Sequence, residues 1–301
     1  MTYEEILADI RSPRKKRVIL DTDTFNEMDD QYAVAYAAGC EKIKLEAITA
    51  APFSNHRADG FADGMRKSHD EAKRILDVIG KPDCCDVLYG STYRFSDGVC
   101  DSPAARRIIE AAHDGSEPIY VLAIGCLSNI ASALKLDPTI KDNMVLVWLG
   151  SHCLERGVIN EFNARGDYAA AQYVIDSGAK MIILPAEGDP GRGTQVLLTT
   201  KEKLSAIKGD RPAARFFRED FPREYTHGKF DEPGWDRIIW DISAPGLLSV
   251  PDAYRFSEIP APIFTDEHEF AFDGTRAHVL YMDTVDPAVV FADLFRVIEE
   301  M

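Results

Sequence analysis

Residues 17–39 read RVILDTDTFNEMDDQYAVAYAAG. Val18, Ile19 and Leu20 form a short apolar, mostly β-branched run that ends in Asp21-Thr22-Asp23. A polar turn, Thr24 to Met28, follows. Asp29-Asp30 then open a helical run carrying apolar Ala33, Val34, Ala37 and Ala38. The pattern predicts strand, tight loop and helix. It crowds four carboxylates at the carboxyl end of one strand and the first turn of the next helix.

Helix capping is the simplest account of such acids, because Asp is a good N-cap and a helix N-terminus favours negative charge by about 0.3–1 kcal/mol. Capping explains one or two of them, not four. Two carboxylates about 4 Å apart repel by about 4 kcal/mol at an effective dielectric near 20. A divalent cation removes that penalty, and an all-oxygen donor set suits a hard ion such as Ca²⁺ or Mg²⁺. A metal site is therefore expected here.

Outward from this unit, 44–49 reads as a second strand, 56–79 as a long helix and 86–90 as a short strand, with Pro103 opening another helix. Strong apolar strands follow at 118–125, 144–150 and 180–185, separated by helices at 130–136 and 167–177. Nearly all-apolar strands alternating with helices predict an α/β fold with a mainly parallel central sheet and helices on both faces. From about residue 200 the alternation stops. Helices are expected at 201–221, 237–249 and 287–300 and a strand at 269–283, so the C-terminal third reads as a helical cap. Residues 1–301 read as one domain without repeats or flexible linkers. Ligands of open α/β sheets sit beyond the carboxyl ends of the strands. The loops at 21–30, 53–55, 124–129 and 151–163 are thus expected to converge.

The 301 residues carry a net charge of −16 and are 46% hydrophobic, enough for a substantial core. The acidity disfavours nucleic acid and anionic membranes as partners, and leaves a neutral small substrate open. No long uncharged apolar segment is present, and MTYEEILADIRSPRKKR lacks the apolar stretch of a signal peptide, so a cytoplasmic location is the expectation. None of the six cysteines forms a C-x-x-C pair; reduced thiols are expected.

Four elements together resemble one family, the nucleoside hydrolases of the inosine–uridine-preferring group and its relatives. They are DTD with a following DD, GCLSNIASAL at 125–134, NEFNARGDYAAAQYVIDSG at 160–178 and WDISAPGLL at 240–248. Their order and spacing span nearly the whole chain. The resemblance implies calcium-dependent hydrolysis of the N-glycosidic bond of ribonucleosides. It implies Asp23 as general base and calcium ligand. Asp30, the main-chain carbonyl of Ile124 and Asp241 complete the metal site. It gives Asp29 the ribose hydroxyls, Glu161 and Asn163 the 5′ and 3′ hydroxyls, and Asn55 a further ribose contact. Asn160 stands in for an upstream family Asn. A homodimer or homotetramer is implied in the same way.

Two departures from the family pattern stand out. The DTD-TFNEM-DD loop is two residues longer than the family's DTD-P-G-x-DD, leaving Asn26 and Glu27 without counterparts. The loop before Glu161 is shorter. At the late segment, Trp240 replaces the His of some members and resembles the purine-preferring branch, where an aromatic stacks on the base; stacking is worth about 1–3 kcal/mol per base. A purine preference is therefore expected, although a core position for Trp240 beside Ile238, Ile239 and Ile242 is equally consistent with the residues. Tyr89, Tyr93 and Phe95 are candidates for a second stacking face, and His227 for an acid. Asp21 is expected to order its loop by accepting backbone N–H bonds. Two other classes remain open. ILDTDTF also resembles the strand end of Mg²⁺-dependent haloacid-dehalogenase-type phosphatases, with Asp21 as nucleophile. A non-catalytic nucleoside- or ribose-binding protein would keep the same cation site.

Overall fold

The computed structural model describes residues 1–115 and 117–301. Its pivot is strand β1 (Lys16–Thr22), buried along its whole length. β1 pairs in parallel with β2 (Ile43–Ala50) on one side and with β4 (Ile119–Ala123) on the other, and β2 pairs with β3 (Asp86–Leu88). Strands β5 (Met144–Leu149), β6 (Lys180–Leu184), β7 (Tyr254–Pro260) and β8 (His278–Val285) complete an eight-stranded sheet in the order β3-β2-β1-β4-β5-β6-β8-β7. Every pair is parallel except β8 with β7. The winding reverses between β1 and β4. Such a reversal leaves a crevice outside the carboxyl ends of the two strands, where open α/β sheets bind ligands. Asp23 and Ile124 lie just past those two ends.

Alternate residues of each central strand feed opposite cores, as the period of two demands. Val18, Leu20, Tyr120 and Leu122 pack on one face with α1 (Tyr3–Arg11), α2 (Asp29–Gly39), α3 (Phe61–Val78) and the C-terminal helices. Ile19, Val121, Leu146 and Trp148 pack on the other with α4 (Pro103–His113), α5 (Ser128–Leu136) and α7 (Tyr168–Asp176), which follows the short α6 (Phe162–Gly166). Helix α2 is buried on all sides from Asp29 to Ala37. Its alanines let neighbours approach closely, and its two tyrosines satisfy their hydroxyls inside: Tyr32 donates to the Phe217 carbonyl at 2.8 Å and Tyr36 to Asp293 at 2.6 Å.

Three expected elements differ. The stretch 201–221 is broken into Lys201–Leu204 and Pro212–Arg215, with a wider turn over Phe216–Asp220 before Phe221–Tyr225. The segment 237–249 is not one helix. Asp236–Ile238 is a strand paired with Leu198–Thr200, Trp240–Ile242 is a single 3₁₀ turn, and only α8 (Ser243–Ser249) is α-helical. Charged Asp236 and Arg237 are exposed at that edge, and the β-branched Ile238 favours the extended form there. The stretch 269–283 is interrupted by a polar turn, and only His278–Val285 enters the main sheet. The C-terminal third is thus helical around α9 (Pro287–Glu300) but also supplies β7 and β8.

Candidate functional site

The loop after β1 folds back on itself through the Asn26 N–H to the Asp23 carbonyl at 2.7 Å, while the Gln31 side chain donates to the Thr24 carbonyl at 2.7 Å. The residue that caps α2 is Met28, which makes no side-chain cap. Asp29 and Asp30 occupy the first helical turn, so capping does not account for them. A cavity of about 300 Å³ opens above the sheet at this point. Asp23, Asp29, Asp30, Ile124 and Asp241 line one part of it, and Asn160, Glu161, Asn163 and Trp240 another. Asn55 lies outside it. That residue lines an adjoining cavity and donates through Nδ2 to the Asn26 side-chain oxygen at 2.6 Å.

The carboxylates of Asp29, Asp30 and Asp241 offer oxygens that all lie within 4.8 Å of one another, and all three residues are buried. Asp23 stands outside this triad, but one of its oxygens, Oδ2, is buried without a hydrogen-bond partner. No Lys, Arg or His pairs with any of the four among the described residues. Each carboxyl is pushed well above the usual carboxylate range, first by burial and next by its acidic neighbours: Asp29 acts on Asp23 and on Asp241, Asp30 on Asp29, and Asp23 on Asp30. Four buried, unpaired acids are a standing repulsion that a divalent cation would remove. An all-oxygen donor set fits a hard ion. The chain supplies the acidic cluster that such an ion needs.

The site is braced from below. Asp21 is fully buried and points away from the cavity. Its Oδ1 accepts from Thr49 at 2.6 Å and from the Asn129 amide at 2.8 Å, so it is held by side chains rather than by the backbone N–H bonds expected. Burial raises it to about 7 against those two lowering contacts. Asn129 also reaches the Ala50 carbonyl at 3.1 Å and receives the Ser91 N–H at 2.7 Å, which ties β1, β2 and the loop after β3 together. Gly125 must lack a side chain: a Cβ there would lie 2.8 Å from Ala51 Cβ and 3.4 Å from Asp23.

Glu161 caps α6. Its oxygens receive the N–H groups of Asn163 at 2.8 Å and Ala164 at 3.0 Å, plus that of Ser151 at 3.0 Å. The sequence placed a helix only from 167; the structure adds the short α6 before it, and Glu161 is the N-cap of that helix. Burial raises Glu161 to about 7 despite these three donors. The Asn163 side-chain amide donates to two main-chain carbonyls, Leu149 at 3.0 Å and Ile124 at 3.2 Å.

Several lining residues escaped the sequence reading. Asn26 and Glu27, the surplus residues of the long loop, are on the cavity wall. His152, Phe162, Arg165 and Glu187 are there too. His152 lies on the loop after β5 and Glu187 on the loop after β6, while Phe162 and Arg165 belong to the short α6; the stretch 151–163 was expected at the site, but these side chains were not singled out. Burial lowers His152, reinforced by Arg156 and Arg165 and opposed by Glu187. The other aromatic candidates do not reach the cavity. Tyr89 stacks on His69 at 3.8 Å, Phe95 tilts against Tyr173 at 4.9 Å, and Tyr93 is exposed. His227 lies in the 226–228 turn away from the lining, in a left-handed conformation at φ 51°. Trp240 is half-buried: one part packs on the core and another lines the cavity.

The family model described as inosine-uridine preferring nucleoside hydrolase matches residues 18–263. The chain belongs to this family. It is 26% identical over 226 residues to a rice protein named probable uridine nucleosidase 2; the match covers 68% of this chain and 65% of that relative, just under two thirds of its length. Two solved nucleoside hydrolases share the fold. A purine-preferring ribonucleoside hydrolase from Gardnerella vaginalis superposes with a TM-score of 0.70 at 21% identity, covering 95% of this chain and 100% of that one. An inosine-uridine preferring enzyme from Bacillus anthracis does so with a TM-score of 0.72 at 17% identity and the same coverage. The matched span, 18–263, includes all four acids of the site and every family element quoted above.

Proposed function

We propose that the protein hydrolyses the N-glycosidic bond of ribonucleosides, releasing ribose and free base, with Ca²⁺ as its metal. The observation that carries this reading is the approach of Asp241, from the last third of the chain, to within 4.8 Å of Asp29 and Asp30. Asp30, Asp241 and the Ile124 carbonyl would hold the ion beside Asp23, with Asp29 shared between the ion and the ribose. When bound, the ion neutralises the acids and acts as a Lewis acid toward the sugar diol and water.

The chain's own groups divide the remaining work. The unpartnered Oδ2 of Asp23 accepts a proton from the attacking water. Water oxygen then bonds to the anomeric carbon as the carbon–nitrogen bond breaks, through an oxocarbenium-like transition state that nearby carboxylates stabilise. The bonding pair leaves on the base nitrogen, which must gain a proton. Asn163 and Glu161 grip the sugar away from the breaking bond, and such remote binding can be used to lower the barrier. Asn160 and, through Asn26, Asn55 add to that grip. Trp240 offers its exposed face to the base, which supports a purine preference. Assembly into dimers or tetramers belongs to the same proposal.

The phosphatase reading is disfavoured because Asp21, its nucleophile, is enclosed and held by Thr49 and Asn129. A reducing-sugar assay over a nucleoside panel, with and without EDTA, tests the proposal. Release of ribose that stops with EDTA and resumes with calcium is expected, fastest with inosine or adenosine. Equal or faster turnover of uridine would overturn the purine preference, and ribose binding without base release would favour a binding protein.

A further inference from the structure

Two thiols stand side by side at the edge of the sheet, far from the acids in the fold. Cys84 and Cys85 end the turn that joins α3 to the outermost strand β3, where the Cys84 N–H donates to the Lys81 carbonyl at 3.2 Å. They precede Asp86, the amino end of β3, whereas the acidic cavity opens beyond the carboxyl ends of the strands. Cys84 is exposed, and Cys85 is half-buried against the core. Their sulfurs share a hydrogen bond 3.9 Å long. Cys40, Cys126 and Cys153 are buried, and among the described residues no other two cysteine sulfurs bond to each other. The bond with Cys85 lowers the Cys84 thiol to about 7, against a partial loss of solvent and with help from Lys81, and the same bond pushes Cys85 up. One proton is thus held between two sulfurs and the exposed one carries the thiolate, the form that binds soft ions.

The spacing selects among the ligands of a dithiol. A disulfide needs sulfurs at about 2.05 Å and normally spans about 4.4–6.8 Å between Cα atoms. Consecutive Cα atoms across a trans peptide are only about 3.8 Å apart, and the peptide here is trans. Zinc takes about three or four protein ligands. The only grouping of three or more such donors among the described residues is Asp29, Asp30 and Asp241. A single soft centre held by two sulfurs alone fits better. Two bonds of about 2.3 Å, the zinc–sulfur length, span about 3.8 Å when they meet at a tetrahedral angle. Trivalent arsenic bonds sulfur at a closely similar length, and it is complete with two thiolates and one organic group.

We propose that Cys84 and Cys85 form a binding site for organic trivalent arsenicals, chelating one arsenic(III) centre through both sulfurs. Each thiol gives up its proton, each sulfur bonds to arsenic, and the arsenic-bound oxygen leaves as water. Arsenic stays trivalent, so no oxidant or reductant is needed.

The test titrates the reduced, full-length protein with phenylarsine oxide and reads the adduct by intact-protein mass spectrometry. One phenylarsenic group per chain is expected, retained in excess 2-mercaptoethanol and released by 2,3-dimercaptopropanol. Cys84→Ser and Cys85→Ser should each weaken binding at least tenfold, with circular dichroism reporting an unchanged fold. Unchanged binding in Cys84→Ser, whose side chain is exposed and whose loss leaves the core intact, overturns the proposal. So does an adduct that the monothiol strips from the wild type, since that marks attachment through one sulfur only. Stoichiometric zinc that blocks the arsenical would also overturn it, by showing that the pair recruits the further donors a tetrahedral ion requires.

Discussion

The side-chain amide of Asn163 donates to the main-chain carbonyl of Ile124 at 3.2 Å, and the same nitrogen reaches the Leu149 carbonyl at 3.0 Å. One short side chain thereby sets the aim of the carbonyl that the cation would use, and joins the ends of β4 and β5. Partners of this kind behind a metal ligand commonly control affinity by 10- to 100-fold. Asn163→Ala is expected to weaken calcium binding by roughly that factor, read by titration calorimetry. An unchanged affinity would remove Ile124 from the ligand set.

Asp23 is expected to matter more for turnover than for holding the ion, because it stands outside the triad of Asp29, Asp30 and Asp241. General-base removal typically costs about 10²–10⁴ in rate. Asp23→Asn should lower kcat within that range while weakening calcium binding less than Asp241→Asn does. Parallel losses of affinity in the two variants would mean that Asp23 is chiefly a ligand.

The buried Asp21 predicts how stability depends on pH in the cation-free protein. Its carboxyl is raised to about 7 by burial, against about 3.9 in an unfolded chain. The folded state therefore favours the protonated form. That contribution is whole below about pH 4 and is lost as pH rises toward 7, on the order of a few kcal/mol. Glu161, also raised to about 7, acts in the same direction. Denaturant melts from pH 4 to 7 should show stability falling, and Asp21→Asn should flatten the fall. A slope identical in the variant would show that Asp21 stays ionised in the fold.

Trp240 is placed to discriminate between bases. Loss of one stacking face is worth about 1–3 kcal/mol. Trp240→Leu should lower kcat/KM for inosine by about 5- to 150-fold and for uridine by less, because the smaller ring offers less overlap. Equal losses for the two substrates would assign Trp240 to packing alone.

Much of this architecture was legible in the chain. The strand–loop–helix unit at 17–39 announced itself because an apolar run ended in acids, and the quoted family elements fell in order along the sequence. Less could be read where local preference and tertiary demand diverged. Ile238 and Ile239 beside Trp240 suit a strand as well as a helix, and pairing with Leu198–Thr200 decided the matter. Glu161 was seen as a site residue, but not as the cap of a helix only five residues long, which no periodicity reveals. His152 stands on an irregular loop whose direction depends on long-range contacts, and Arg165 on a helix too short to show a period. Tyr89 and Phe95 were plausible aromatics that found other rings to pack on.

The hydroxyl of Tyr36 on α2 closes on Asp293 in α9, and Tyr32 closes on Phe217. The helix that begins with Asp29 and Asp30 is thus moored to parts of the polypeptide synthesised long after it. During translation these two acids emerge well before that anchor and must wait until α9 follows. Assembly of the pocket then depends on a segment made far later than the acids it steadies, and faults in α9 would be felt at a centre it never touches.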